Sequence, residues 1–268
     1  MNKLTLDELK RIEFDILKHF DAFCKEHNIR YYLAYGTLLG AIRYKKFIPW
    51  DDDVDVLVPR EDYERLLKIY EDNEQYKLFA FEKDGMFHYP FAKLCDLSTK
   101  KVLPEFRSSG AIPGVEIDIF PLDCWQSDYE MARKEARSIS REILFLQASQ
   151  LRESPTKKGI KSLLWQLISV YARIRTDKYF NKKIVKKSKA NKQDNPAFVG
   201  SKSWCIYGER GIIPAEAFAD VTYVEFEKEM FPAPIGYDTY LTCLYGDYLP
   251  EPPKEKQKTN HSFEAYKL

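Results

Sequence analysis

The chain has 268 residues and a mass of 31.6 kDa, enough for one large domain or two small ones with a buried core. Apolar residues make up 44% of the sequence and aromatic residues 15%, which excludes a disordered or fibrous chain. The formal net charge of +1 argues against a protein whose whole surface binds nucleic acid, and we expect no nucleic acid as a partner. No apolar run approaches the roughly 20 residues of a membrane span, and no secretory signal is recognisable, so we expect a cytoplasmic protein.

The N-terminal part predicts a helix, a strand and a second helix that follows a glycine turn. Thr5 and Glu8 form a capping box ahead of apolar residues at helical spacing. Residues 30–34 predict a strand that stops at Gly36-Thr37, and residues 38–44 fit a short helix. Because glycine lets the backbone approach a ligand and a helix N-terminus presents unpaired N–H groups, this turn is a candidate phosphate-binding site.

The following residues alternate between strands and helices. A run of aspartates merges into a strand predicted over residues 53–58, and Pro59 then opens a helix. Further strands are predicted at residues 76–81, 89–94 and 115–120. This mixture predicts an α+β fold, with helices packed around one mixed α/β sheet.

The pattern changes after residue 126. Helices are predicted at residues 127–150 and 160–180, and the stretch 151–195 carries 13 Lys+Arg against 3 Asp+Glu. The last third is rich in Pro, Tyr and Gly, which is typical of loops and short helices. The chain therefore divides into a core over residues 1–126, a basic helical segment over residues 127–195, and a loop-rich C-terminal region over residues 196–268 that packs on the core.

The basic helical segment has three interpretations. It binds an anionic membrane surface, it lines a site for an anionic acceptor, or it is a solvated helix face, which is the commonest outcome for such a run. Aromatic residues are not interleaved with the basic ones in the way that nucleic-acid recognition requires.

The strongest chemical signal is a cluster of four carboxylates in five positions, at Asp51, Asp52, Asp53 and Asp55. Alternate side chains of a strand share a face, so Asp53 and Asp55 point one way while the neighbouring valines point into the core. Two such carboxylates repel by ~4 kcal/mol at ~4 Å and an effective dielectric near ~20, so one protonates or a cation lies between them. Oxygen ligands suit Mg²⁺ or Mn²⁺. The alternative is a solvated acidic turn followed by an edge strand.

A second alternating strand, at residues 115–120, places a third carboxylate beside this pair. That carboxylate is Asp118 or Glu116. A phosphate-binding turn, a pair of metal ligands and a third acid are the parts that metal-assisted phosphoryl transfer requires.

Two segments, residues 36–43 (GTLLGAIR) and 47–56 (FIPWDDDVDV), resemble the signature of the LicD family. These are phosphotransferases of the nucleotidyltransferase-fold superfamily, typified by phosphocholine transferases. Weaker likeness is found at residues 91–96, 116–123 and 245–248, and at Pro252-Pro253 with His261. The resemblance covers most of the chain and is thinnest over the basic helical segment.

The resemblance implies a set of functional residues, matched position by position. The superfamily's phosphate-holding turn corresponds to Gly36 and Thr37, and its metal-binding catalytic pair to Asp53 and Asp55. Its third carboxylate, which would bind metal and act on the acceptor hydroxyl, best matches Asp118. Fifteen residues lie between Thr37 and Asp53, which is long for the superfamily but is the LicD arrangement.

The function implied by the resemblance is transfer of phosphocholine from CDP-choline to a sugar hydroxyl, with Mg²⁺ or Mn²⁺ as cofactor and CMP as product. The acceptor would be a lipid-linked precursor of a teichoic acid, a lipopolysaccharide or another cell-surface glycan. One alternative is the same fold acting on another CDP-alcohol or a nucleoside triphosphate. The other is a non-catalytic protein whose basic helices hold a membrane or a partner.

Further residues are candidates for contacts to the donor. Arg43 and Lys93 are expected either to bind its phosphates or to form surface salt bridges. Trp50 would stack on a base or contact a quaternary ammonium, although packing before the strand is the simpler role. Tyr245 and Tyr248 are candidates for an aromatic choline cage, among 18 tyrosines of which most must be ordinary packing residues.

Overall fold

The structure is a computed structural model that describes residues 1–104, 114–151, 160–259 and 263–268. Its elements in chain order are β1 (Asn2–Lys3), α1 (Leu6–Glu26), β2 (Tyr32–Leu33), α2 (Tyr35–Tyr44), β3 (Asp55–Pro59), α3 (Arg60–Ile69), β4 (Tyr76–Phe79), α4 (Phe81–Asp84), β5 (Ala92–Asp96), β6 (Thr99–Val102), β7 (Val115–Cys124), α5 (Tyr129–Gln150), α6 (Ile160–Arg175), α7 (Asp177–Ser188), β8 (Phe198–Gly200), β9 (Ile213–Pro214), β10 (Val221–Phe226), β11 (Glu229–Pro234), α8 (Tyr237–Tyr245) and β12 (Glu264–Lys267).

The central sheet is mixed, which confirms the predicted α+β class. Its strands lie in the order β2-β3-β7-β5-β4, with β8 and β9 extending from β7. β3 and β7 are parallel, whereas β7 and β5 are antiparallel. The register pairs Asp118 of β7 with Asp55 of β3 on one side and with Lys93 of β5 on the other.

The aspartate-rich strand begins later than predicted, at Asp55 rather than residue 53. Val54 still contacts the sheet, because its carbonyl accepts a hydrogen bond from the Asp118 amide at 2.8 Å. Val54, Val56 and Val58 are fully buried, as the alternation predicts. Leu57, on the opposite face, is also buried, which is typical of a strand paired on both sides and covered on both faces.

The glycine turn lies inside a helix rather than ahead of it. The capping box of Thr5 and Glu8 on α1 is confirmed, but α2 starts at Tyr35, three residues earlier than predicted. Gly36 and Thr37 therefore occupy the first turn of α2, where N–H groups have no partner within the helix. Tyr35 itself has a positive φ of 43°, which bends the chain sharply between β2 and the helix.

The helical segment after residue 126 consists of α5, α6 and α7. The prediction of one helix over residues 160–180 is wrong, because the chain breaks at Thr176, whose φ of 70° is incompatible with a continuous helix. These three helices bury an apolar cluster of their own around Trp125, Ile139 and Phe180, beside the main cluster under the sheet. Among the described residues, no helix is both long enough and apolar enough to cross a membrane.

Candidate active site

A cleft of about 390 Å³ opens where β3 and α2 begin, beside Asp118 and Phe120 of β7. The residues that line it combine carboxylates, aromatic rings and two lysines: Tyr35, Gly36, Leu39, Ile48, Trp50, Asp51, Asp53, Asp55, Asp118, Phe120, Trp204, Ile206, Tyr207, Tyr245, Lys256 and Lys258. The structure thus brings the predicted aspartates and the predicted glycine to one place.

The aspartates make the cleft strongly negative. Burial raises the pKa of Asp55 well above the ordinary value of 3.8, and the charges of Asp53, Asp118 and Asp51 raise it further. A carboxylate in this position is destabilised by loss of water and by like charge, so the site favours either a proton or a bound cation. This crowding comes from the fold as well as the sequence, since Asp118 enters from a strand more than sixty residues away.

Asp118 is held by a buried lysine. The Lys93 ammonium lies 2.5 Å from the Asp118 carboxylate and 3.3 Å from that of Glu116, and Lys101 lies 2.7 Å from Glu116. Burial raises the pKa of Asp118, while the charge of Lys93 opposes that rise. Glu116 forms ion pairs with two lysines and does not line the cleft, so Asp118 is the acidic residue of β7 that lines it.

The donor set in the cleft suits a hard divalent cation. Among the residues that the structure describes, no three His, Cys, Asp or Glu side chains form a group that could hold a metal ion. Asp53 and Asp55 nevertheless share the cleft, and Mg²⁺ commonly uses one or two carboxylates together with waters and substrate phosphates. Burial and, after it, the charges of the neighbouring carboxylates raise the pKa of Asp55, and a cation bound between the carboxylates would offset that repulsion. The Asp53–Asp55 pair fits Mg²⁺ or Mn²⁺, whereas the Asp118 carboxylate already forms an ion pair with the Lys93 ammonium.

The first turn of α2 connects the phosphate-binding prediction to the aspartates. Thr37 is buried and does not line the cleft, and its hydroxyl accepts a hydrogen bond from the Asp55 amide at 2.8 Å. Thr37 therefore positions the start of β3. Gly36 does line the cleft, and a Cβ there would lie 2.5 Å from a carboxylate oxygen of Asp51, so glycine leaves that carboxylate room.

Of the remaining predicted site residues, some line the cleft and others do not. Trp50 lines the cleft, and its ring meets that of Tyr44 edge-on at 6.4 Å. Arg43 does not line it, and its guanidinium donates to the Tyr248 carbonyl near the C-terminal end of α8. Lys93 does not line the cleft; its ammonium contacts the Asp118 carboxylate, which does. His261 lies outside the described residues.

Sequence reasoning missed part of the wall. Tyr207 stacks on Tyr35 at 5.4 Å and 8°, and it meets Tyr245 edge-on at 5.7 Å with their hydroxyls 3.0 Å apart. Lys256 and Lys258 add two positive charges to the cleft from the C-terminal region. No local pattern marks these residues, because they belong to loops and a helix end that reach the site only in the folded chain.

Comparison with known proteins shows the family of the chain. The sequence model of a family described as "LicD/FKTN/FKRP, nucleotidyltransferase domain" matches residues 28–145. The chain is also 34% identical, over a 280-residue alignment that covers the whole of both chains, to the lipopolysaccharide cholinephosphotransferase LicD of Haemophilus influenzae. The chain belongs to the LicD family. The four carboxylates that line the cleft (Asp51, Asp53, Asp55 and Asp118) and its glycine lie within the residues that the family model matches.

Two shorter similarities involve proteins without a stated activity. Uncharacterised proteins of Rickettsia prowazekii and Rickettsia typhi are 37% and 39% identical to the chain over 62 and 63 residues. These stretches cover 23% of this chain, and 23% and 20% of the rickettsial chains. Membership of the LicD family therefore rests on the full-length similarity.

Proposed function

We propose that the protein is a phosphocholine transferase that moves phosphocholine from CDP-choline to a sugar hydroxyl of a cell-surface glycan. The observation that carries the proposal is the cleft of Asp53, Asp55 and Asp118, in a chain similar along its whole length to a lipopolysaccharide cholinephosphotransferase. Lipopolysaccharide-type and teichoic-acid precursors, carried on a lipid, are the acceptors proposed.

The reaction is a substitution at phosphorus. The acceptor oxygen forms a bond to the phosphorus that bears choline, the bond to the CMP oxygen breaks, and the acceptor proton leaves. In this proposal Asp118 orients that hydroxyl and accepts its proton, and two observations support the role: Asp118 lines the cleft, and burial raises its pKa. Lys93 keeps this carboxylate in position.

Asp53 and Asp55 would hold Mg²⁺ or Mn²⁺, which supplies neutralisation of charge on the transferring phosphate and the leaving group. Lys256 and Lys258 are available to the donor phosphates from the C-terminal wall. The backbone at Gly36 contributes the first-turn amide of α2, which favours an anion by its orientation.

The aromatic wall supports choline as the head group of the donor. A quaternary ammonium is recognised by aromatic faces and by nearby negative charge. On this wall the Tyr207 ring contacts both Tyr35 and Tyr245. The charges of Asp55, Asp53 and Asp51 act on Tyr207, since they help burial to raise its pKa.

Replacing Tyr207 by leucine is expected to raise KM for CDP-choline about tenfold, because the ring face that meets the cation is lost. Tyr207→Phe keeps the ring and should change KM little. Steady-state kinetics are compared for CDP-choline and for CDP-glycerol, whose head group carries no charge. The matched control is Tyr223→Leu, at an exposed tyrosine of β10. An equal rise in KM for both donors would show that Tyr207 does not recognise the quaternary ammonium.

The proposed reaction is tested by incubating the protein with Mg²⁺, CDP-choline and either a lipopolysaccharide or a teichoic-acid precursor. We expect release of CMP and addition of phosphocholine to the glycan, both detected by mass spectrometry. A chain that binds CDP-choline but transfers nothing to either glycan would overturn the proposed acceptor class.

The second candidate is the same chemistry with another donor, either a CDP-alcohol or a nucleoside triphosphate. The carboxylates and lysines of the cleft suit the diphosphate of any nucleotide donor, so they are compatible with this candidate. The aromatic wall favours choline. Thermal unfolding with each nucleotide separates the two, because a ligand that binds the native state raises Tm. A larger rise with CTP or CDP-glycerol than with CDP-choline would favour the second candidate.

A further inference from the structure

One face of α6 is apolar and unpacked. The helix rests on α5 and α7 through Ser169 and Ala172, which are buried. The opposite side carries six large apolar side chains, each 43% to 75% exposed: Leu163, Leu164, Leu167, Val170, Tyr171 and Ile174. Their spacing places them within about 120° of the helix circumference, which forms a continuous stripe along the helix. We call this surface the α6 stripe.

A stripe of this size is unusual on a protein surface. Single exposed apolar residues are normal, but contiguous ones mark a surface that binds a protein or a lipid. The helix that bears it is not a membrane span. A helix with an apolar face and little hydrophobicity elsewhere lies in the plane of a membrane interface.

Positive charge borders the α6 stripe. Residues 160–192 contain ten Lys+Arg and one Asp, and Arg175, Lys178, Lys182 and Lys186 are exposed. The Arg175 guanidinium lies 6.0 Å from the ring centre of Tyr171 on the stripe and 5.4 Å from that of Tyr179 on α7. Arg175 is therefore next to the apolar surface, and the exposed lysines belong to α7, which packs against α6. Tyrosines and basic side chains beside an apolar surface are the composition that a membrane interface prefers.

We propose that the α6 stripe and the basic residues beside it bind an anionic lipid surface. The apolar side chains would enter the boundary between headgroups and acyl chains, while Arg175, Lys178 and Lys182 would remain at the level of the headgroup phosphates. This surface is separate from the cleft, so the inference does not rest on the proposed reaction. It would bring the active site to lipid-linked acceptors.

Charge favours a lipid over a second copy of the chain as the occupant. In a symmetric dimer through the α6 stripe, the basic residues beside the stripe of one subunit would lie close to the same residues of the other. Like charges that face one another oppose association. An anionic surface complements both the apolar and the basic parts.

The test is co-sedimentation of the full-length protein with vesicles of phosphatidylcholine alone or mixed with phosphatidylglycerol. We expect binding to the anionic vesicles that weakens as NaCl rises from about 50 mM to about 500 mM, because salt screens the headgroup charge. The variant Leu167→Gln/Ile174→Gln should bind about tenfold or more weakly, because two apolar side chains no longer enter the interface. Arg175→Gln and Lys182→Gln should each lower binding about fivefold.

The matched control is Ile235→Gln, which removes an isoleucine that is 50% exposed, after β11 and away from the stripe, and should bind as the wild type does. Absence of binding to anionic vesicles, or equal binding by wild type and Leu167→Gln/Ile174→Gln, would overturn the inference. So would a dimer in analytical ultracentrifugation that the double variant abolishes, because the stripe would then be a protein interface. CMP release from CDP-choline is assayed separately, so failure of that reaction leaves the vesicle result intact.

Discussion

Replacing Asp55 by asparagine is expected to lower phosphocholine transfer by about 10³-fold or more while leaving the protein at least as stable as the wild type. The loss of activity follows if Asp55 holds the cation that neutralises the transferring phosphate. Asparagine has nearly the same shape, so the start of β3 and its hydrogen bond to Thr37 should persist.

The expected gain in stability comes from the pKa of Asp55. Burial and neighbouring carboxylates raise that pKa well above 3.8 in the folded protein, so the folded state holds the proton more tightly than the unfolded state does. The free energy of unfolding therefore falls as pH rises from about 3.8 through the folded pKa, and the deficit persists at neutral pH. Asparagine removes this cost, so the variant should exceed the wild type most at neutral pH.

CMP release measures the expected loss of activity. Thermal unfolding at several pH values, with and without Mg²⁺, measures the expected gain in stability. Mg²⁺ should raise the Tm of the wild type and have little effect on Asp55→Asn. Asp15→Asn, at an exposed carboxylate of α1, is the matched control and should keep both the activity and the response to Mg²⁺. If Asp55→Asn released CMP at the wild-type rate, the role assigned to this carboxylate would be wrong.

Replacing Lys93 by methionine is expected to destabilise the protein by about 3 kcal/mol, because the Asp118 carboxylate, whose side chain is only 20% exposed, loses its partner. Methionine preserves most of the volume, so packing contributes little to the change. The Glu116 carboxylate retains Lys101 at 2.7 Å, and the cost therefore falls mainly on Asp118.

A second substitution should restore much of this loss. In Lys93→Met/Asp118→Asn the buried negative charge is absent, so the double variant should be more stable than Lys93→Met alone. In Lys93→Met the pKa of Asp118 should rise further, because desolvation is no longer opposed. Its free energy of unfolding should then fall as pH rises above about 3.8, and the deficit should be smallest in mild acid.

Urea unfolding at pH 5 and pH 8 measures these differences. The control Lys3→Met breaks an exposed pair with Glu264, 2.6 Å apart, and should change the free energy of unfolding little, because water screens the pair. A loss in Lys93→Met as small as that of the control, or no recovery in the double variant, would show that the Lys93–Asp118 pair does not stabilise the fold.

Local patterns in the sequence predicted much of the framework. The capping box of Thr5 and Glu8 fixed the start of α1, and the alternation after Asp53 identified a buried strand. These signals are local, since a cap depends on residues three apart and a strand face on every second residue. The single helix predicted over residues 160–180 failed because the positive φ at Thr176 leaves no mark in residue periodicity.

The sequence by itself determined the chemistry of the site: carboxylates near a glycine turn, in a pattern that resembles the LicD family. Only the tertiary structure decided which of them act together. The parallel pairing of β3 with β7 set Asp118 opposite Asp55, and β5 brought Lys93 against Asp118. The fold also buried Glu13 on the inner side of α1, which raises its pKa. Contacts between residues far apart in the chain, and the loss of water around them, follow from strand register and packing, which local sequence does not encode.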